Sequence, residues 1–480
     1  MLSPRHALAL LLLLATTPTL ALWSGNPASN LVIADNSGEQ VQTRMVATGD
    51  GGFYLSWFDS SSGYGVRLQR LDAAGNEQWA HNGVLVATRD FSSTQDYGLS
   101  IDSAGNALLA FRYRDSGGVA QILAQKVAPN GTAQWGSPGV FVSADASDAN
   151  APKITGTSDG NAAVAWSDST GAIRVQKLSA AGAPLWSGSG VSIAPPMGFF
   201  FLADLRGDNA GNVIAAWSAQ LSAQSRQYWA QKLASANGAS LWNAGHVKVF
   251  DGSGGALQFG YFPPFLSDGV GGAVFVWYIV GVSAGSVRVQ HIDASGVAAF
   301  AQNGIEASTN AAQSHVSPSG AYDPVSGDIY ALWRETDIAT QSQIGVYAQR
   351  IDASGARQWG AGGKVLVPLA GTDQTQMTAL PAAGGVYAAW ASGSAPNPQT
   401  IRAARIGSDG NFVWTGSIVD LSTEPNSVAR LTGAISSSGY AAYAWTASAS
   451  GGGDIHAQNI NPDGSLGSAG ALFQSGFEGN

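Results

Sequence analysis

The sequence predicts an all-β protein, a closed ring of eight four-stranded antiparallel sheets. Three observations carry this. Residues 160–194 recur imperfectly eight times along the chain. Two aromatic columns mark the register. The first is Trp57, Phe111, Trp166, Trp217, Trp277, Trp333, Trp390 and Trp445. The second is Trp79, Trp135, Trp186, Trp242, Phe300, Trp359 and Trp414. Copies lie 51 to 60 residues apart, room for four short strands and their turns, and the columns hold 13 of the 15 Trp. Finally, the last copy lacks its closing quarter, and the chain opens with a matching piece around Trp23. Only Trp229 falls outside the pattern.

Taken in order, residues 1–21 read as a signal peptide. Arg5 gives a positive start, an apolar run spans 7–15, and Thr19-Leu20-Ala21 fits a cleavage site. The run is too short for a membrane-spanning helix. The expectation is an exported protein, in the periplasm, on the cell surface or secreted, without membrane insertion after cleavage. Leu22-Trp23-Ser24-Gly25 repeats Leu185-Trp186-Ser187-Gly188, and Leu31 to Ala34 continues it. Residues 22–34 are therefore expected to supply the fourth strand of the eighth sheet, which removes the open edges of a linear array.

In the first complete copy the strands are predicted at residues 42–48, 53–58, 66–71 and 78–86. The turn between the first two recurs as Asp50-Gly51-Gly52, Ala104-Gly105-Asn106 and Asp159-Gly160-Asn161. The turn after the third recurs as Asp72-Ala73-Ala74-Gly75 and Asp352-Ala353-Ser354-Gly355. Glycine reaches positive φ freely and Asp or Asn bonds its own backbone, so these are hairpin turns. None has the ligand count of a calcium loop. The third strand carries Gln69, Gln125, Gln176, Gln231, Gln290, Gln349 and Gln458, with Ala404 the exception, and a basic residue or His usually follows. A repeated hydrogen-bonding role is expected for this Gln. The last copy has strands near 428–432, 440–445 and 455–460, and no Trp follows Gly464. One domain thus spans 22–465, with 466–480 as a tail.

This pattern resembles the repeats of exported bacterial β-propellers, and the resemblance implies an eight-bladed propeller. Asp72-Ala73-Ala74-Gly75-Asn76-Glu77-Gln78-Trp79 is also similar in outline to the Gly-turn and docking Trp of the eight-bladed quinoprotein dehydrogenases. It lacks that family's Thr-Gly-Lys, is one residue shorter, and the chain has no cysteine pair, so no quinone or other cofactor is expected. The tail Leu472-Phe473-Gln474-Ser475-Gly476-Phe477-Glu478 looks like short Gly-Phe-Glu endings of some exported bacterial proteins.

Composition narrows the chemistry. The chain has no Cys, so disulfides and thiolate chemistry are excluded. A net charge of −9 with 11% charged residues and no basic run argues against nucleic acid or anionic membrane as partner. The six His (His6, His81, His246, His291, His315, His456) show no metal-ligand spacing, and His291 stands in a surface-type slot. Gly451-Gly452-Gly453-Asp454 lacks the serine of a nucleophile elbow. Asp96, Asp204 and Asp373 fall in or near first strands, where carboxylates paired at the ring centre would suit hydrolysis, and spacing alone does not place them within reach of each other. In such a blade the second-to-third-strand loops and the connectors between blades share one face, and their lengths vary, which makes that face the place for binding groups.

One departure falls there. Most first strands open with polar residues, whereas the fourth has Phe199, Phe200 and Phe201, and the fifth has Phe259, Tyr261 and Phe262. Being innermost, these would cluster at or beside the axis as an apolar or sugar-stacking platform, or pack between blades 4 and 5. The expectation is a monomeric, non-enzymatic binding or scaffold propeller for a protein or glycan, with no catalytic or metal residues. The alternative is a glycan-active hydrolase or lyase, or a degenerate quinoprotein. Three or more carboxylate, His or Arg side chains converging at the centre would favour the enzyme.

Overall fold

The computed structural model describes residues 22–89, 97–114, 118–143, 148–223, 225–242, 246–281, 283–395, 397–449 and 452–468. It contains eight four-stranded antiparallel sheets. Blade 1 runs Gln40–Ala47, Phe53–Asp59, Gly65–Leu71 and Val84–Ala87 from the axis outward. Blade 8 has Ser427–Ile435, Ala441–Ala449 and Gly452–Ile460, and its outer strand is Leu31–Ala34 from the other end of the chain. The expected closure is present. A single 3₁₀ turn, Ser60–Ser62, is the helical element among the described residues.

Second strands are the best buried, because a neighbouring blade covers each face. Phe53–Asp59 and Ala162–Asp168 are buried at every residue. The first-column indoles Trp57, Trp166, Trp217, Trp277, Trp333 and Trp390 are 0% exposed. Each interface is its own apolar cluster; between blades 3 and 4 it joins Ile173, Val175 and Trp186 to Phe200, Leu205 and Trp217.

The second-column Trp joins neighbours. Its indole N–H donates to a carbonyl in the third-strand turn of the next blade: Trp79 to Pro129 (3.2 Å), Trp186 to Ser235 (3.0 Å), Trp414 to Pro462 (3.0 Å) and Trp23 to Ala73 (3.2 Å). The ring lies on the glycine of that turn. A Cβ on Gly75, at φ +88°, would stand 2.8 Å from the Trp23 backbone and 2.9 Å from its ring. This docking shortens the outer strand. The sequence predicts one continuous strand over 78–86; pairing instead is made at Glu77 and Gln78, breaks, and resumes only at Val84, because the chain must swing Trp79 outward and turn back through a bond from Gly83 N–H to Ala80 O (2.9 Å).

Inner strands are bulged at a common level. Gln42, Ala151, Ser317, Gln376 and Arg430 have φ of 62, 49, 51, 55 and 58° at a shift in register. Blade 4 shifts between Leu202 and Asp204. Past the bulge, Arg44, Lys153 and Asp204 pair with Ser56, Ala165 and Ala216, each one residue before a buried Trp. These three residues therefore occupy one rung of the ring.

Candidate functional site

The aromatic departure divides in two. The inner strand of blade 4 is Phe199–Gly207, and strand alternation turns Phe200 inward, 1% exposed and 5.4 Å from both Trp217 and Trp229. That contact explains Trp229, which fills the space beneath Phe200. Phe199 turns outward at 50% exposure and stacks on Phe201 (6.2 Å), which meets Phe262 (6.0 Å). Phe259 is 72% exposed and Phe262 44%.

Phe259, Tyr261 and Phe262 do not lie on an inner strand, contrary to expectation. That strand in blade 5 is only Phe265–Ser267. Pro263-Pro264 precede it and offer no N–H to a ladder. Tyr261 turns into the core against Tyr278 (4.4 Å), and burial pushes its phenol well above the ordinary range. The six candidates thus comprise one core side chain, Phe200, the half-buried Tyr261 packed against the core, and four rings on the loop face.

At the axis, a cavity of about 90 Å³ is lined by Arg44, Tyr97, Lys153, Asp204 and Arg206, from four successive blades. Arg206 holds Asp204 at 3.0 Å, and the Leu205 amide donates to the same carboxylate at 2.9 Å. The Arg44 guanidinium lies 5.7 Å over the Tyr97 ring, and the Tyr97 hydroxyl is 2.8 Å from the Ser56 hydroxyl. Burial, with help from Arg44 and Arg206, pulls the Lys153 ammonium down to about 7. Burial raises the Tyr97 phenol and lowers the Arg44 guanidinium. A second cavity of about 350 Å³ adjoins through Arg206 and is walled by Leu266, Met377, Leu380 and Leu431.

A third cavity, about 280 Å³, opens on the loop face between blades 5 and 6. His315 lines it and sits 3.3 Å from the buried Glu335, whose carboxylate accepts the Trp333 indole N–H at 2.6 Å. The other His are dispersed. His456 pairs with Glu424 (2.7 Å), His81 reaches Asp35 and Glu77 (3.1 Å each), and His246 packs on Trp217. His291, in a surface-type slot by its pattern, is a half-buried clasp to Asp268 (3.0 Å). Among the described residues no group of His, Asp or Glu could hold a metal ion.

Of the three carboxylates singled out, Asp204 reaches the axial pocket, Asp373 pairs with Arg334 (3.0 Å), and Asp96 lies outside the described residues. Sequence reasoning passed over Arg44, Tyr97, Lys153 and Arg206. They come from successive copies, 53 to 56 residues apart, but only Arg44 and Lys153 hold equivalent positions, so the repeat alone does not group them. It also passed over Gly156-Thr157-Ser158-Asp159-Gly160, a G-x-S-x-G string. Ser158 lies in a β-hairpin turn between Ala149–Gly156 and Ala162–Asp168, with no helix to form an elbow.

No family model and no curated protein matches this sequence. Among solved structures, the chain is similar to a europium-containing methanol dehydrogenase at 12% identity, covering 89% of this chain and 85% of that one, with a TM-score of 0.49. An ulvan lyase of polysaccharide lyase family PL25 matches at 10% identity over 84% of this chain and 96% of its own, TM-score 0.49. A protein of unknown function from Dyadobacter fermentans matches at 10% identity over 92% of this chain and 99% of its own, TM-score 0.42.

Proposed function

We propose that this chain is an exported, monomeric binding propeller that holds a glycan against the aromatic rim of blades 4 and 5. The observation that carries it is the run of rings Phe199, Phe201 and Phe262 in mutual contact, with the exposed Phe259 three residues before Phe262, where the fold needs no aromatic side chain. Rings in a row offer flat apolar faces to the C–H faces of sugars, and an exposed aromatic cluster is costly to keep without a partner. Glycan-array binding of the mature protein tests the reading. Phe199→Ser, Phe259→Ser and Phe262→Ser together should abolish the signal with little change in Tm. Phe200→Ser should instead lower stability by about 3–5 kcal/mol, as truncation of a core aromatic does. Retained glycan binding in the triple variant would overturn the reading.

A second reading, a glycan-active hydrolase or lyase, is supported by Arg44, Asp204 and Arg206 converging at the axis. It predicts new reducing ends or unsaturated products when the protein is incubated with polysaccharides. Products that persist after purification and vanish in Asp204→Asn would decide for it.

A further inference from the structure

We propose that the loop-face cavity between blades 5 and 6 is a hydrolytic site: it cleaves acetyl or similarly short acyl esters of a hydroxylated alcohol, with His315 as the catalytic base. The proposal goes beyond the stacking surface on blades 4 and 5 and does not rest on it.

Blade 6 departs from its sister blades here, and the departure is the first argument. Two residues after the first-column Trp, Asp59 and Asp168 hold Arg67 and Arg174 at 2.8 Å each. Those arginines stand opposite Trp57 and Trp166 on the third strands. Blade 6 has Glu335 at this position, and Tyr347 in place of the arginine. Its inner strand instead sets His315 directly opposite Glu335, where blades 1 and 3 have Gln40 and Ala149. The indole is recruited too. Trp333 donates to Glu335 Oε2 at 2.6 Å, whereas the indole nitrogens of Trp57, Trp166, Trp217, Trp277 and Trp390 have no hydrogen-bond partner.

The result is a carboxylate–imidazole pair at the back of a polar cavity. Glu335 and His315 are both buried. His315 Nε2 lies 3.3 Å from Glu335 Oε2, so Nδ1 is the nitrogen left for the cavity that His315 lines. A carboxylate on one ring nitrogen fixes the tautomer and leaves the other to take a proton. Such contacts are commonly long without substrate and tighten when it binds.

The lining selects the reaction. Around His315 stand Ser286, Ser308, Thr309, Asn310 and Gln313, with no Lys or Arg among the described residues of the wall. Phosphoryl transfer needs cations on the developing negative charge, and glycoside hydrolysis needs two carboxyl groups. Glu306, the one carboxylate among those residues, is engaged by Arg288 at 2.8 Å. Ester hydrolysis needs only a base, donors for the carbonyl oxygen and polar contacts for the alcohol. Asn310 and Gln313 carry side-chain N–H groups that donate to no described residue, and Gln313 Oε1 is buried without a partner. The walls are tied together, since the Gly285 amide donates to Ser314 Oγ at 2.8 Å and the Thr309 amide to Ala361 O at 2.9 Å. About 280 Å³ equals the liquid volume of roughly nine waters, room for an acetyl group and the carbons beside it.

In the reaction, His315 Nδ1 takes a proton from a water whose oxygen attacks the acyl carbon. The bond from that carbon to the alcohol oxygen then breaks, its electron pair leaves with the oxygen, and His315 returns the proton there. One ester and one water give one acid and one alcohol.

The test is acetate release from glucose pentaacetate and from glycerol triacetate by the purified protein. At least one should yield acetate with turnover. His315→Gln should lower kcat by about 100-fold or more, the contribution of a general base. Asn310 is exposed and Gln313 half-buried, so Asn310→Ala with Gln313→Ala should keep Tm and lower kcat by about 100-fold, as loss of oxyanion donors does. Glu335 is a positioning residue, and Glu335→Gln should lower kcat by about tenfold or more with KM little changed. No acetate from either ester overturns the proposal. So does a kcat that survives His315→Gln, or, where that variant does not fold, one that survives the Asn310→Ala and Gln313→Ala pair.

Discussion

Gln176 shows why one residue type recurs on the third strands. Its carbonyl oxygen accepts from the amides of Lys177 (2.9 Å) and Trp186 (3.1 Å), and its amide donates to Gly188 O (3.3 Å). Gln125 and Gln349 make the same set with Trp135 and Trp359. The side chain ties the strand to the loop that launches the docking Trp. Gln176→Leu strands two buried amide donors and should cost about 2–4 kcal/mol in urea unfolding. Glu424 makes the ring closure acid-sensitive. Burial opposes its charge, but bonds from His456 and the Asn30 amide (2.8 Å) outweigh that and hold the carboxyl below the ordinary glutamate range. A lowered folded pKa contributes stability that is full above the unfolded value and lost as pH falls through the folded one. Glu424→Gln should therefore unfold earlier than wild type at neutral pH, and the two Tm curves should converge below the ordinary glutamate range.

The decisive element is the segment that ends in Leu31–Ala34. It pairs with Gly452–Ile460 through Leu31 to Ala457 and Val32 to His456, and Gln458 donates to Ser24 O at 2.6 Å. Asn30 adds bonds to Leu421 O (2.8 Å) and to the Gln458 side chain (2.9 Å). Trp23, 3% exposed, seats the segment on blade 1. Trp23→Ala should cost about 3–5 kcal/mol, the range for truncating a buried large aromatic. Deleting residues 22–34 bares the edge of Gly452–Ile460, and light scattering should report aggregation along with the lost stability. Repetition made this element legible, since Leu22-Trp23-Ser24-Gly25 is a displaced copy of Leu185-Trp186-Ser187-Gly188. Its paired length was not legible. Trp docking, a contact with the next blade, sets where outer-strand pairing breaks off and resumes.

Across the whole molecule the same Asp that makes a hairpin turn also holds a basic side chain. Burial works against the charge of Asp102, Asp208 and Asp268, yet bonds from Lys126, Lys232, His291 and turn amides keep all three carboxyls below the ordinary aspartate range. Their contribution is full above the unfolded value and disappears as pH falls through the folded ones. Acid unfolding should accordingly be one steep transition below the usual carboxylate range, followed by circular dichroism. The first and last described segments meet as well: a Cβ on Gly467 would lie 3.2 Å from Gly25. Joining residue 468 to 22 and opening the exposed loop at 338–343 should give a permuted ring with native cooperativity. The sequence by itself determined the ring, its eight blades and its closing strand, because a repeat returns the same residues at the same spacing whatever surrounds them. Tertiary structure alone decided which inner-strand side chains reach the axis. A strand alternates faces at every residue, and a one-residue bulge at Gln42 or Ala151 reverses that alternation without any mark in the hydrophobic pattern. Arg44, Lys153 and Asp204 share a rung for that reason, whereas Phe200, ahead of the blade 4 shift, is core by plain alternation, with Phe199 and Phe201 on the other face.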